Sequence, residues 1–230
     1  MKSLPKPIAC ASKNPDGHIQ RRNGLRYGPL RSCIRSGARA YRILNDLSDA
    51  LSTLQERGIV HRDVKPMNVL YSRQGLGTAT LLDFGFAYKE DGAPFFAAMS
   101  PERTHLLEEK ISQKNYVGTP GYYSPEQVLS EEITCSSDIF SLGILAYKML
   151  TKHHPFLMDN ARNAILSLGA YDRFDQELLM AKLWQEGHSP LVVEAVGQAL
   201  DRDPTRRSLE PIREMAKEMM ESKIKKRLVD

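Results

Sequence analysis

Ile59-Val60-His61-Arg62-Asp63-Val64-Lys65-Pro66-Met67-Asn68-Val69-Leu70-Tyr71 is followed, after a turn, by Leu81-Leu82-Asp83-Phe84-Gly85. Two short apolar runs flank a polar loop, and a second carboxylate arrives twenty residues after the first. Taken singly, Asp63 and Asp83 read as turn residues and His61 as a packed core histidine. Taken together they form a set. Asp63 is a carboxylate that can sit beside an exchangeable proton. Asn68 and Asp83 are hard oxygen groups of the kind that hold magnesium beside phosphate oxygens.

Phosphoryl transfer has little covalent chemistry of its own, and needs an acceptor held in line, a carboxylate near the acceptor proton and ligands for the metal. The loop resembles the protein-kinase catalytic loop H-R-D-x-x-x-x-N, and Asp83-Phe84-Gly85 resembles the magnesium-binding D-F-G. Lys65, two residues after Asp63, is the choice of the serine/threonine kinases. The resemblance implies that Asp63 orients the acceptor hydroxyl and that Lys65 meets the transferring phosphoryl group. It implies that Asn68 and Asp83 hold Mg²⁺ with ATP, and that Leu70 packs beneath the adenine. His61 becomes a packing residue, and Phe84 sets whether Asp83 faces in or out. Arg62 makes this an R-D loop, the type often ordered by phosphorylation of the activation segment.

Working outward, Ile43, Leu44, Leu47, Ala50, Leu51 and Leu54 recur at helical spacing between Arg42 and Arg57, and Gly58 follows as a stop. That amphipathic helix delivers the chain into the loop. Residues 69–71 and 79–82 read as a small β-hairpin. Gly75-Leu76-Gly77 reads as its turn and not as a phosphate loop, because no helix follows. Residues 86–117 have no clear period, with a short helix expected over 102–110.

Gly118-Thr119-Pro120-Gly121-Tyr122-Tyr123-Ser124-Pro125-Glu126 resembles the end of a kinase activation segment, with Ser-Pro-Glu in place of A-P-E. Thr119 matches the threonine that bonds with the catalytic Asp and Lys. The usual phosphosite position carries Asn115; Ser112, Tyr116 and Thr104 are substitutes. Ser136-Ser137-Asp138 opens, with cap chemistry, a helix apolar on nearly every face, which belongs inside a core. By resemblance Asp138 braces the catalytic-loop backbone. His153-His154 reads as loop. Helices are expected over 176–185 and 191–200. Asp203-Pro204-Thr205-Arg206-Arg207 resembles D-P-x-x-R, which implies that Arg207 pairs with Glu126.

The chain has 230 residues, 41% hydrophobic and 26% charged, as a soluble globular protein does. Cys10, Cys33 and Cys135 form neither a disulfide framework nor a zinc spacing, which points to a reducing, intracellular and cytoplasmic setting. The longest apolar stretch, 139–150, is too short to span a bilayer. Through Ala40 there are nine Lys or Arg against one acidic residue, while the whole chain is +4. This basic arm reads as a solvated leader. Nucleic acid, acidic lipid, an acidic partner and a transit function are its other readings, and no aromatic interleaving favours a nucleic-acid platform.

The expected fold is mainly α with a small β-hairpin, the large C-terminal lobe of a kinase-like domain. Residues 1–28 are expected to be irregular, 29–220 the kinase domain and 221–230 a basic tail. Ahead of the loop the sequence shows no G-x-G-x-x-G, no V-A-I-K lysine and no helix offering its glutamate partner. Three readings follow: a serine/threonine kinase of protein substrates whose ATP-binding small lobe is absent from this sequence, a catalytically inactive kinase-like scaffold, and an enzyme that borrows a small lobe from a partner. The intact Asp63, Lys65, Asn68 and Asp83 favour the first.

Overall fold

A computed structural model describes residues 27–29, 37–72, 77–90, 118–156 and 160–229. The expected helix over 102–110, the basic arm through residue 26, positions 104, 112, 115 and 116, and the tip of the hairpin turn lie outside the described residues.

Strand β1 spans Tyr27–Pro29 and helix α1 Gly37–Gln55; β2 is Ile59–Val60, β3 Val69–Ser72, β4 Ala79–Leu81 and β5 Tyr88–Lys89. Among the described residues six further α-helices follow: α2 Pro125–Leu129, α3 Cys135–Thr151, α4 Ala161–Gly169, α5 Arg173–Gln185, α6 Pro190–Ala199 and α7 Glu210–Val229. The protein is mainly helical, with a three-stranded antiparallel sheet in the order β1-β3-β4 and a two-stranded β2-β5 ribbon.

Helix α1 buries Ala40, Ile43, Leu44, Leu47, Leu51 and Leu54. That stripe accounts for the helix, since each large aliphatic side chain taken from water contributes about 1.5–3 kcal/mol. The helix begins five residues before the position the spacing suggested, because Ala38, Ala40 and Tyr41 extend the buried stripe. It ends as expected: Gly58 takes a φ of +59°, open to glycine at no steric cost. Asp46 in α1 accepts the backbone N–H of Ala79, so the helix also anchors the first residue of β4.

Helix α3 is buried along 14 of its 17 residues and forms the centre of the core. Its cap differs from the sequence expectation. Thr134 is the N-cap and accepts the Ser136 N–H, while Asp138 sits inside the first turn with its carboxylate committed elsewhere. Gly143 lies where an added Cβ would come within 3.0 Å of Ala199 and Leu200, so its lack of a side chain lets α6 approach α3.

Strands β1, β2 and β5 and helices α2 and α4 were not anticipated. β1 pairs with β3 across Tyr27↔Ser72 and Pro29↔Leu70, and β5 pairs with β2 across Val60↔Tyr88. Two or three residues carry no period; the strand exists because an edge was there to receive it. Among the described residues no helix is long and apolar enough to cross a membrane.

Candidate active site

The loop between β2 and β3 is fastened from below by one carboxylate. Asp138 of α3 accepts the backbone N–H of His61 at 2.6 Å through Oδ2 and that of Arg62 at 2.8 Å through Oδ1. Burial pushes the Asp138 carboxyl up to about 7, and the two N–H groups and the Arg62 charge pull the other way. Arg62 takes a φ of +64°, an uncommon conformation for a side-chain-bearing residue. The His61 ring is fully buried, with Nε2 at 3.0 Å from the Leu82 carbonyl and Nδ1 accepting the Asp63 N–H at 3.3 Å. Both contacts suit one neutral tautomer, and burial, against the opposing pull of Leu82, Asp63 and Asp83, lowers its pKa. Phe84 meets the ring edge-on at 4.8 Å.

Asp63 is 2% exposed, and both of its oxygens are engaged. Oδ1 accepts the Thr119 hydroxyl at 2.7 Å. Oδ2 accepts the Asn68 amide at 2.7 Å and the Lys65 ammonium at 2.7 Å. Lys65 in turn donates to the Thr119 hydroxyl at 2.5 Å, which closes a ring of Asp63, Lys65 and Thr119. A carboxylate offers about four lone-pair positions. Among the described residues three are taken, and the remaining one lies on Oδ1.

A short 3₁₀ turn, Pro66–Asn68, places Asn68, with Pro66 at a position where its missing N–H costs nothing. The Asn68 side-chain nitrogen also donates to the Asp63 carbonyl at 2.9 Å. Both amide hydrogens are thus used within the loop, which leaves Oδ1 as a hard acceptor. The Asn68 carbonyl takes the Leu82 N–H at 2.7 Å, tying this turn to the residue before Asp83. Asp83 has a φ of +68° and an exposed side chain. Magnesium is held by one or two protein groups together with phosphate oxygens and water. Asn68 Oδ1 and the Asp83 carboxylate match that demand in type and number. Leu70 is buried in β3, between β1 and β4, and Gly85 is exposed beyond Phe84.

A second buried pair lies at the start of α2. Arg207 donates to Glu126 through Nη1 at 2.6 Å and Nη2 at 3.0 Å. Its other N–H groups reach the carbonyls of Asp201, Ser136 and Arg202. All five donors are satisfied, and the guanidinium lies 4.7 Å from the centroid of the Phe140 ring. Burial would raise the Glu126 carboxyl, but Arg207 and the Ser137 hydroxyl at 2.7 Å outweigh it, and the carboxyl lies below its ordinary value.

The structure therefore brings Asp63, Lys65, Asn68 and Thr119 into direct contact, joins Asp138 to His61 and Arg62, and joins Glu126 to Arg207. His154 contacts the Phe156 backbone through Nδ1, a loop contact. Sequence reasoning missed three supports: Ser137 on Glu126, Tyr88 over Arg62, and Ser141, whose hydroxyl donates to the Tyr122 carbonyl at 2.5 Å. No local signal marks them, because each acts across 11 to 26 residues.

The site is thus a helical body whose central helix braces a loop bearing Asp63, Lys65 and Asn68. Comparison with known proteins makes the assignment: the family model described as protein kinase domain matches residues 25–228, and the chain belongs to the protein kinase family. It is 35% identical over 170 residues to serine/threonine-protein kinase PknL of Mycobacterium tuberculosis, covering 74% of this chain and 37% of that protein. It is 37% identical over 120 residues to serine/threonine-protein kinase pkn2 of Myxococcus xanthus, covering 51% of this chain and 13% of that protein. Serine/threonine-protein kinase PknB of Mycolicibacterium smegmatis is 33% identical over 122 residues, covering 53% and 17%. The chain thus spans little more than a third of the length of the first of these relatives, and less of the others.

Proposed function

We propose that this protein is a serine/threonine protein kinase that transfers the γ-phosphate of ATP to a hydroxyl of a protein substrate, and that the described helical body is the large lobe of its kinase domain. The observation that carries this reading is the remaining acceptor position on Asp63 Oδ1, beside an oxygen already pinned by Thr119. A substrate hydroxyl donating there is oriented for attack; as the new O–P bond forms, the bond from γ-phosphorus to the β,γ-bridging oxygen breaks, ADP leaves, and Asp63 receives the hydroxyl proton. Lys65, 19% exposed at its side chain, presents its charge at the mouth of the same ring and steadies the transferring group. Asn68 Oδ1 and Asp83 would hold Mg²⁺, and Leu70 would lie under the adenine. Bound there, the ion supplies neutralisation of charge on the phosphates.

The test is a melting-temperature titration of the chain with Mg²⁺-ATP, with Asp83→Asn alongside, followed by a transfer assay on a generic Ser/Thr substrate with Asp63→Ala. The reading expects a saturable stabilisation lost in Asp83→Asn and transfer lost in Asp63→Ala. Transfer unchanged in Asp63→Ala removes that residue from the mechanism. No nucleotide effect in the wild-type chain counts against the kinase reading of this chain.

A further inference from the structure

Arg62 carries no step of the transfer chemistry, yet its guanidinium is among the most constrained groups near the site. The residue is 8% exposed. Its Nε donates to the Phe86 carbonyl at 2.6 Å, and its guanidinium lies 4.7 Å from the centroid of the Tyr88 ring. Its Nη2 is buried with no hydrogen-bond partner among the described residues. A guanidinium waiting for a phosphate presents an open fork of donors. This one is turned inward and covered.

Tyr88 is itself fixed from two sides. β5 pairs it with Val60, two residues ahead of Arg62, and its hydroxyl donates to the Ile133 carbonyl at the entrance to α3. The ring therefore cannot leave Arg62 without breaking the β2-β5 ribbon or the contact with Ile133. Burying a cation is costly unless something compensates it. Here the compensation comes from the electron-rich face of Tyr88, the Phe86 carbonyl and the Asp138 carboxylate beneath the Arg62 backbone. Without the ring, water becomes the better partner for the guanidinium. An outward-turning side chain would then release the positive-φ turn that presents Asp63.

We propose that Tyr88 is a positioning residue for the catalytic loop: its ring holds Arg62 from within and so orders the Asp63 turn without an incoming phosphate group. The consequence for transfer rests on the kinase reading; the ordering of the loop does not.

Hydrogen exchange of the full chain tests it, comparing the amides of His61–Asp63 with those of the α3 interior in wild type, Tyr88→Leu and Tyr88→Phe. Tyr88→Leu is expected to speed exchange at the loop by about tenfold or more and leave α3 unchanged, while Tyr88→Phe, which keeps the ring, stays near wild type. Phosphatase treatment of the wild type is expected to change nothing at the loop. In a transfer assay Tyr88→Leu is expected to lower kcat with the KM for ATP unchanged, and Tyr88→Phe to restore it. Unchanged loop exchange in Tyr88→Leu, equal acceleration in α3, or loss of loop protection on dephosphorylation each overturns the proposal. A wild-type chain that transfers no phosphate sinks the kinase reading alone, because the exchange comparison still decides the role of Tyr88.

Discussion

Arg207 and Glu126, 81 residues apart in the chain, meet fork to fork in the core, with side chains 0% and 1% exposed. Their contact holds the first turn of α2 against the start of α3, since Ser137 and the Ser136 carbonyl join the same cluster. The Glu126 segment is therefore attached to the same helix that braces the Asp63 loop through Asp138.

Removing one partner of this pair strands the other charge in a dry site. Arg207→Ala is expected to cost about 3–5 kcal/mol in urea unfolding. Arg207→Lys is expected to recover little of it, because an ammonium cannot reproduce five directed donors. A loss under about 1 kcal/mol in Arg207→Ala would mean that the pair does not hold this corner.

Asp63→Asn keeps the shape of the side chain but removes the carboxylate proposed to orient the acceptor and receive its proton. Transfer is expected to fall by about 10²–10⁴-fold, while the variant stays folded by circular dichroism. Full activity in the asparagine variant would contradict the role assigned to Asp63.

Two buried groups oppose each other across one pH window. Burial raises Asp138 to about 7, above its unfolded value near 3.9. Its stabilising share is complete below about pH 4 and is lost as pH climbs through about 7. Burial and the neighbouring Lys148 charge lower His154 to about 4, below an unfolded value near 6.5. Its share is complete above about pH 6.5 and is lost as pH falls through about 4. The slopes offset in the wild type. In melting scans from pH 4 to 8, Asp138→Asn should leave a stability that falls on acidification, and His154→Gln one that falls as pH rises. Two variants with the wild-type profile would show that neither group titrates as assigned.

Gly118 precedes Thr119 and takes a φ of +122°, with an added Cβ placed 2.6 Å from the Arg62 carbonyl. Gly118→Ala must move either the segment that carries Thr119 or the loop that carries Asp63. Backbone strain of this kind costs about 1–3 kcal/mol. The larger expected effect is on transfer, because a shift there separates Thr119 from Asp63 and Lys65. Steady-state kinetics beside urea unfolding would separate the two, and an unchanged kcat would show that the Thr119 contact tolerates the shift.

The elements legible in the sequence are those with long periods or fixed spacing. Helix α1 and the buried α3 announce themselves through apolar recurrence, and the Asp63, Lys65, Asn68 and Asp83 set through spacing along one short stretch. Boundaries read less well: α1 begins earlier because alanines and Tyr41 continue its buried face, and the α3 cap falls on Thr134 because Asp138 is drawn to the backbone of another segment.

By itself the sequence determined the helical body, the chain path into the loop and the chemical types available there. Those follow from local propensity and from apolar periodicity, which act over a few residues. Only the tertiary structure decided which oxygen of Asp63 keeps an acceptor position, that Asn68 spends its nitrogen and not its oxygen, and that Tyr88 covers Arg62. Hydrogen-bond satisfaction inside a close-packed core is a property of groups converging from distant segments, and no segment carries it alone.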